Sequence, residues 1–218
     1  MEILGLNFSF LGRYWQYYVE GLKVTIQIAF FVLIFATVCG AVIGLMRISR
    51  NKIISGVSSA YVNFIRGVPL LIQVFIFYYG LNLDLPEFWA GVVALTVNSS
   101  AYMGEHVRAG IQAVNKGQME AARCVGMTKV QGMWHVVLPQ AIKNILPSMC
   151  NEFILLIKNT SIVSAIALHE LTYLSNTVRV MTYLSFEPLI ITALIYFSVT
   201  YVLKKLVGIL EGRLKSSD

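Results

Sequence analysis

An all-α, polytopic membrane fold of about five transmembrane helices follows from three features of the sequence. Hydrophobic residues fill 57% of the 218 positions, and charged residues only 13%, about half the 25% or so typical of soluble domains. The apolar residues gather in uncharged blocks near or above the roughly 20 residues needed to cross a bilayer. The net charge of +6 is not a nucleic-acid signature, because the basic residues stand beside apolar blocks rather than in one interleaved patch. Membrane orientation accounts for them. Cys39, Cys124 and Cys150 are odd in number without close pairing, so they imply neither a disulfide framework nor a cysteine metal site. With Glu2 and no basic run before its first apolar residues, the amino terminus does not read as a cleaved signal peptide. The first span is expected to act as its own insertion signal.

Within residues 1–21, the aromatic-rich stretch 8–18 reads as an amphipathic interfacial segment. Residues 24–46 form the first span. In it Ala36, Gly40 and Gly44 recur every fourth position, a small-residue stripe that lets another helix approach closely, either a partner's or one of the chain's own. Arg47, Arg50 and Lys52 place its end in the cytoplasm, leaving the amino terminus outside. The second span runs over 58–83, carrying Arg66-Gly67-Val68-Pro69 near its start, and Asp84-Leu85-Pro86-Glu87 makes an outer turn. Residues 88–109 form the third span and 139–157 the fourth, despite Pro147 and Glu152. A sixth span would need a helix within 161–183, which His169, Glu170 and Arg179 argue against. Residues 188–203 are the fifth span, and Lys204, Lys205, Arg213 and Lys215 hold the carboxyl terminus in the cytoplasm. Of the 17 Lys and Arg residues, this topology leaves Arg13, Lys23, Lys158 and Arg179 away from the cytoplasmic side.

The longest polar interruption is the cytoplasmic loop 110–140. Asn115-Lys116-Gly117 supplies a break and a cap, residues 118–124 are good helix formers, and Gly126 can take the positive φ that closes a helix. Arg123 and Lys129 bracket this piece, while Ala121, Ala122 and Val125 make an apolar face suited to a groove on a partner. The alternative is an ordinary solvated amphipathic loop. The ordered set Glu120-Ala121-Ala122, three residues, Gly126, nine residues, Val136, one residue, Leu138-Pro139 resembles the EAA loop of importer-type ABC transporter permeases, with Val136 where Ile is usual. RGVPLLIQ (66–73), NSSAYMGEHVRAGIQAVNKGQ (98–118) and NEFILLIKNTSIVS (151–164) are similar to stretches of the branch that imports polar amino acids. Val68, His106 and Asn159 depart from that branch's usual Thr, Ile and acidic residue. The Asn159 departure bears on substrate preference or an outer gate.

The resemblance implies a type I importer fold and the membrane-spanning permease of an ATP-driven importer. Its substrates would be polar L-amino acids, with a lean toward basic ones, moved by alternating access across a prokaryotic plasma membrane. Glu120, Ala121, Ala122, Gly126, Val136, Leu138 and Pro139 would couple it to ATPase subunits docked on residues 118–127. ATP and Mg would reside on those subunits, with no cofactor on this chain. A second permease subunit, identical or paired, and an external binding protein complete the implied assembly.

The residues themselves add limits. There is no GxxxxGK[ST], HExxH or GxSxG pattern, so the chain does not hydrolyse ATP in the P-loop manner and is not read as an enzyme. Polar groups inside a bilayer are costly and usually face an interior or a watery cavity. Asn98, Tyr102 and Glu105 share one helical face. Asn144, Ser148, Asn151, Glu152 and Asn159 cluster on another helix, which Pro147 would bend, freeing carbonyls. An amino acid's ammonium and carboxylate need both acceptors and donors, so Asn98, Tyr102, Ser148, Asn151, Glu152 and Ser161 are the candidate pathway. Their other reading is helix–helix hydrogen bonding, worth about 0.6 kcal/mol per contact. Glu152 suits a cationic substrate or an ion pair with Lys158, though a separation of six puts those two on different helical faces. Glu105-His106 reads as a solvated cap or helix contact, not an acid–base pair. The rival function is a self-contained channel or ion-coupled transporter with Glu105 and Glu152 handling ions. An intramembrane enzyme lacks a recognisable nucleophile–base pair or metal cluster.

Overall fold

The computed structural model describes residues 2–3, 6–80 and 85–215. Apart from a two-residue antiparallel pairing of β1 (Glu2–Ile3) with β2 (Leu6–Asn7), the described chain folds into helices and their connections. These are α1 (Leu11–Arg47), α2 (Lys52–Gly67), α3 (Leu70–Phe75, continued by a π turn over Ile76–Gly80), α4 (Glu87–Gln112), α5 (Lys116–Cys124), α6 (Lys129–Gly132, with a π turn over Met133–Val137), α7 (Leu138–Asn159, with a 3-10 turn over Thr160–Ile166), α8 (Leu171–Thr182) and α9 (Glu187–Lys215).

Three stretches are long and apolar enough to cross a membrane, Leu11–Arg47, Lys129–Ile166 and Glu187–Gly212, and a fourth if α2 and the α3 segment are one broken span. The helix α1 absorbs the segment expected at the interface. At 37 residues it is about 55 Å long by the rise of an α-helix, well over a bilayer's hydrocarbon thickness. Phe10, just ahead of it, and Tyr18 on it are buried with Leu171 and Val178. The second span is not continuous. Proline has no N–H to give a helix and disfavours helical geometry in the residue before it; Pro69 sits at φ −57°, ψ 136° as the N-cap of α3, and α2 stops at Gly67. Gln73 Nε2 donates to the freed Val68 carbonyl at 2.8 Å. The far end of this span and Asp84 of the expected outer turn lie outside the described residues.

The third expected span, α4, is long enough at 26 residues but too polar to register by hydropathy. Asn98, Ser99 and Ser100 lie buried on it. In contrast, α7 runs as one helix through Pro147, the residue expected to bend it. The stretch 161–183 is helical after all, as the 3-10 turn and α8. At 12 residues, α8 is too short to span.

The chain divides into two compact units, the first of residues 1–34, 68–96 and 154–205, the second of 35–67, 97–153 and 206–218. In the first, Phe10, Tyr18, Leu171 and Val178 form a core, and Thr25 Oγ1 accepts from the Leu171 amide at 3.2 Å. In the second, Val107, Ile111, Val114, Val137, Ala141 and Ile145 form one core, and Val62, Ile65 and Ala101 another.

The stripe on α1 serves the chain's own packing. A Cβ on Gly40 would stand 2.4 Å from Met103 Cβ and 3.1 Å from the Gly104 amide nitrogen, and one on Gly44 would stand 2.6 Å from Val107 Cβ. The helices α1 and α4 thus meet nearly backbone to backbone, and there is no flexible tip to yield. Forcing extra atoms into such a contact costs about 1–3 kcal/mol or more. Gly40→Val is expected to cut the yield of monodisperse, membrane-extracted protein several-fold, while Gly56→Ala, where a Cβ meets nothing within 4 Å, leaves it unchanged. Size-exclusion profiles of the two variants check this.

Candidate functional site

The loop between α4 and α7 folds as a short helix, a tight reversal and a second short helix. Asn115 caps α5, its Oδ1 accepting from the Gly117 amide at 2.8 Å. The end of α5 closes on Gly126, which sits at φ +89°. The Gly126 amide donates to the Arg123 carbonyl and the Met127 amide to the Ala122 carbonyl, each at 3.1 Å, the paired bonds of a Schellman closure. The next helix starts at once. Thr128 and Gln131 form a reciprocal capping box, a signature already present in the T-x-x-Q spacing.

Alanine 122 does not join the outward apolar face expected of it. It is buried, and Gly132 lies beneath it with room for no side chain: a Cβ there would be 2.9 Å from Met119 Sδ and 3.3 Å from Ala122 Cβ. Glu120 and Ala121 are exposed, as are Gly126 and Pro139. Val136 and Leu138 are half-buried at the entry to α7. The outward apolar surface is made by Val125 (75% exposed), Val130 (67%) and Trp134 (64%). The last two were missed in the sequence because no motif marks them. Val125, Gly126, Met127, Gln131 and His135 line an open hollow of about 330 Å³. The capped reversal therefore leaves Val125, Val130 and Trp134 uncovered.

The candidate pathway residues divide differently. Asn98 is buried. Tyr102 lies under the Arg66 guanidinium, 5.1 Å from ring centre to Cζ. Glu105 is held by Arg47 of α1 and by Arg108, so much of this face of α4 serves helix contacts. On α7, Asn144 Nδ2 reaches the Gly110 carbonyl at 3.5 Å, Ser148 is half-buried and Asn151 exposed. Ser161 belongs to the first unit and donates to the Lys158 carbonyl at 2.7 Å. Glu152 is buried, and its Oε2 faces His106 Nε2 at 3.6 Å rather than Lys158. No local pattern marks that pairing, since 46 positions separate the two residues. Among the described residues no cluster of His, Cys, Asp and Glu could hold a metal ion.

The comparisons agree with one another. Residues 33–216 match the family of binding-protein-dependent transport system inner membrane components. The chain is 42% identical over 97% of its length to the whole of the Probable glutamine ABC transporter permease protein GlnM of Bacillus subtilis. It is 37% identical over 99% of its length to the whole of the arginine transport system permease protein ArtQ of the same organism. Among solved structures, a chain from an amino acid ABC transporter with histidines superposes with a TM-score of 0.92 at 44% identity, over 95% of this chain and 99% of that one. The MetNI methionine ABC transporter in an inward-facing form shares the fold, with a TM-score of 0.81 at 19% identity over 96% of this chain and 99% of that one. The chain therefore belongs to the binding-protein-dependent transport system inner membrane components: it is a multi-pass permease subunit of the ABC importer type, the translocating part and not itself an enzyme.

Proposed function

We propose that this chain imports polar amino acids across a prokaryotic plasma membrane as half of a two-permease pathway. ATPase subunits carrying ATP and Mg dock on its 110–140 loop, and an external binding protein delivers substrate. The observation that carries this reading is the capped projection ending at Gly126, formed by the residues that resemble the EAA loop, with Val125, Val130 and Trp134 uncovered beside it. Basic amino acids stay within the class, since one relative is named for arginine and another for glutamine. Glu152 is not what would select them, because its carboxylate is buried against His106. A self-contained channel would need no such projection. Copurification with an ATPase subunit, followed by ATP-dependent uptake of a panel of amino acids into proteoliposomes, tests the reading. Uptake without ATP or without the ATPase would overturn it.

The same reading puts the amino terminus outside and the loop inside, following the bias of Lys and Arg. In a cysteine-free background, a cysteine at Glu87 is expected to react with an impermeant thiol reagent from outside and one at Lys116 from inside only. Labelling of both from one side would refute the topology.

A further inference from the structure

Of the three stretches able to cross a membrane, α9 is the least covered by the rest of the chain. The Phe186 carbonyl accepts from the Ile190 amide at 3.1 Å, which extends the helical register by a residue. Phe186, Leu194, Phe197 and Tyr201 then fall on one face, and all four are exposed. The polar groups of this stretch are turned inward or met within the helix. Glu187 is buried, and its Oε1 accepts from the Asn7 amide at 3.1 Å. The exposed Ser198 donates to the Leu194 carbonyl and Thr200 to the Tyr196 carbonyl, each at 2.7 Å. Both ends of the face are marked by tyrosine. At one, Tyr201 lies under the Lys205 ammonium, 4.9 Å from its ring centre, with Lys204 alongside. At the other, Tyr183 closes α8 at φ +57° and is 94% exposed. Positive φ is an outlier for so bulky a residue, and glycine would make the turn without strain. The contact that favours a tyrosine there lies outside the chain.

We propose that this face of α9 is the permease's lipid-facing surface and that the second permease subunit packs elsewhere. Tyr183 and Phe186 anchor it in the outer headgroup layer, and Tyr201 with Lys204 and Lys205 in the inner one. From Phe186 to Lys205 the helix rises about 28 Å, against roughly 30 Å for the hydrocarbon of a bilayer. Amphipathic rings at both boundaries, and ammonium groups on apolar stems at the cytoplasmic one, are what those layers favour. The competing occupant is a second permease. Helix contacts inside a membrane draw on small residues that let backbones approach, as Gly40 and Gly44 do against α4. Residues 187–205 contain no glycine, and the face presents Phe, Leu and Tyr side chains.

The inference rests on the membrane fold and not on how import is driven, and the labelling at Glu87 and Lys116 reads the orientation separately. Nitroxide labels are attached at Tyr183→Cys, Leu194→Cys and Phe197→Cys, one at a time in the cysteine-free background, and the permease is reconstituted with its copurifying subunits in proteoliposomes. Collision with oxygen, which concentrates in hydrocarbon, is expected to exceed collision with a water-soluble nickel chelate several-fold at Leu194 and Phe197, and to be comparable with it at Tyr183. Rare collision with both reagents at Leu194 and Phe197 would mean that protein covers them, and frequent collision with the chelate that they line a watery path; either result overturns the lipid face. A Tyr183 label that meets the chelate as freely as one at the exposed Glu87 overturns the anchor. Should a labelled variant fail to assemble, Phe197→Trp carries the same test: lipids brominated midway along their chains should quench the fluorescence it adds over the parent, and absence of quenching overturns the proposal.

Discussion

Gly126→Val is expected to reduce ATP-driven uptake by more than ten-fold while the protein still inserts and assembles. The reason is backbone conformation rather than space, because a Cβ at this position would meet nothing within 4 Å. At φ +89° a β-branched residue is a genuine outlier, and the left-handed region costs an ordinary L-residue about 1–2 kcal/mol. The valine variant relieves that strain by leaving the conformation, which breaks the Gly126–Arg123 and Met127–Ala122 bonds and re-aims Val125 and the start of α6. Asparagine visits this region more readily than other side chains. Uptake should therefore fall in the order Gly, Asn, Ala, Val, at equal amounts of assembled complex. Equal uptake by all four would remove Gly126 from the coupling machinery. A ranking by side-chain volume, with Asn below Ala, would point to a steric contact with the partner instead.

That turn was legible because its chemistry is local. A cap at Asn115, a helix former run and a glycine at the close can be read in order along the chain, and so can the T-x-x-Q box at Thr128. Long uncharged blocks were legible for the same reason, as α1 and α9 show. What escaped was set by contacts between distant residues. The polarity of α4 argued weakly for a span because Asn98, Ser99 and Ser100 are hidden by packing that hydropathy does not register. The small stripe at Gly40 and Gly44 announced a close approach without naming Met103 and Gly104 as its object. Pro147 and Pro69 look alike in sequence, yet α7 continues through the first and the helix is broken at the second. The carboxylates were the hardest. Glu105 and Glu152 looked like reasons for ions or substrate and Glu170 like a reason against a helix, and each is met by a side chain from another helix.

Glu170→Ala is expected to lower the stability of the extracted protein by about 1–3 kcal/mol, with Glu170→Gln close to neutral. The carboxylate is fully buried at the N-cap of α8, where Oε1 accepts from the Tyr173 amide at 2.8 Å and Oε2 from the Tyr196 hydroxyl at 2.9 Å. Alanine leaves the Tyr173 amide without its capping acceptor, costing roughly 1–3 kcal/mol, while the Tyr196 hydroxyl keeps only Thr172 Oγ1 as a partner. Glutamine can keep both contacts. Its oxygen takes the Tyr173 amide, its NH2 donates to the Tyr196 oxygen, and the tyrosine proton turns to Thr172 Oγ1, 3.2 Å away. Burial also holds the Glu170 carboxyl above its ordinary range, against hydrogen bonds that lower it. A group that binds its proton more tightly when folded makes the fold lose stability as pH rises from the ordinary carboxylate range through the raised value. That component should vanish in Glu170→Gln, whose thermal midpoint should be less sensitive to mild acidification than the parent's. Thermal unfolding of the three proteins by size-exclusion assay, at two pH values, decides it. An alanine variant as stable as the parent would show that this carboxylate is not what holds α8 on α9.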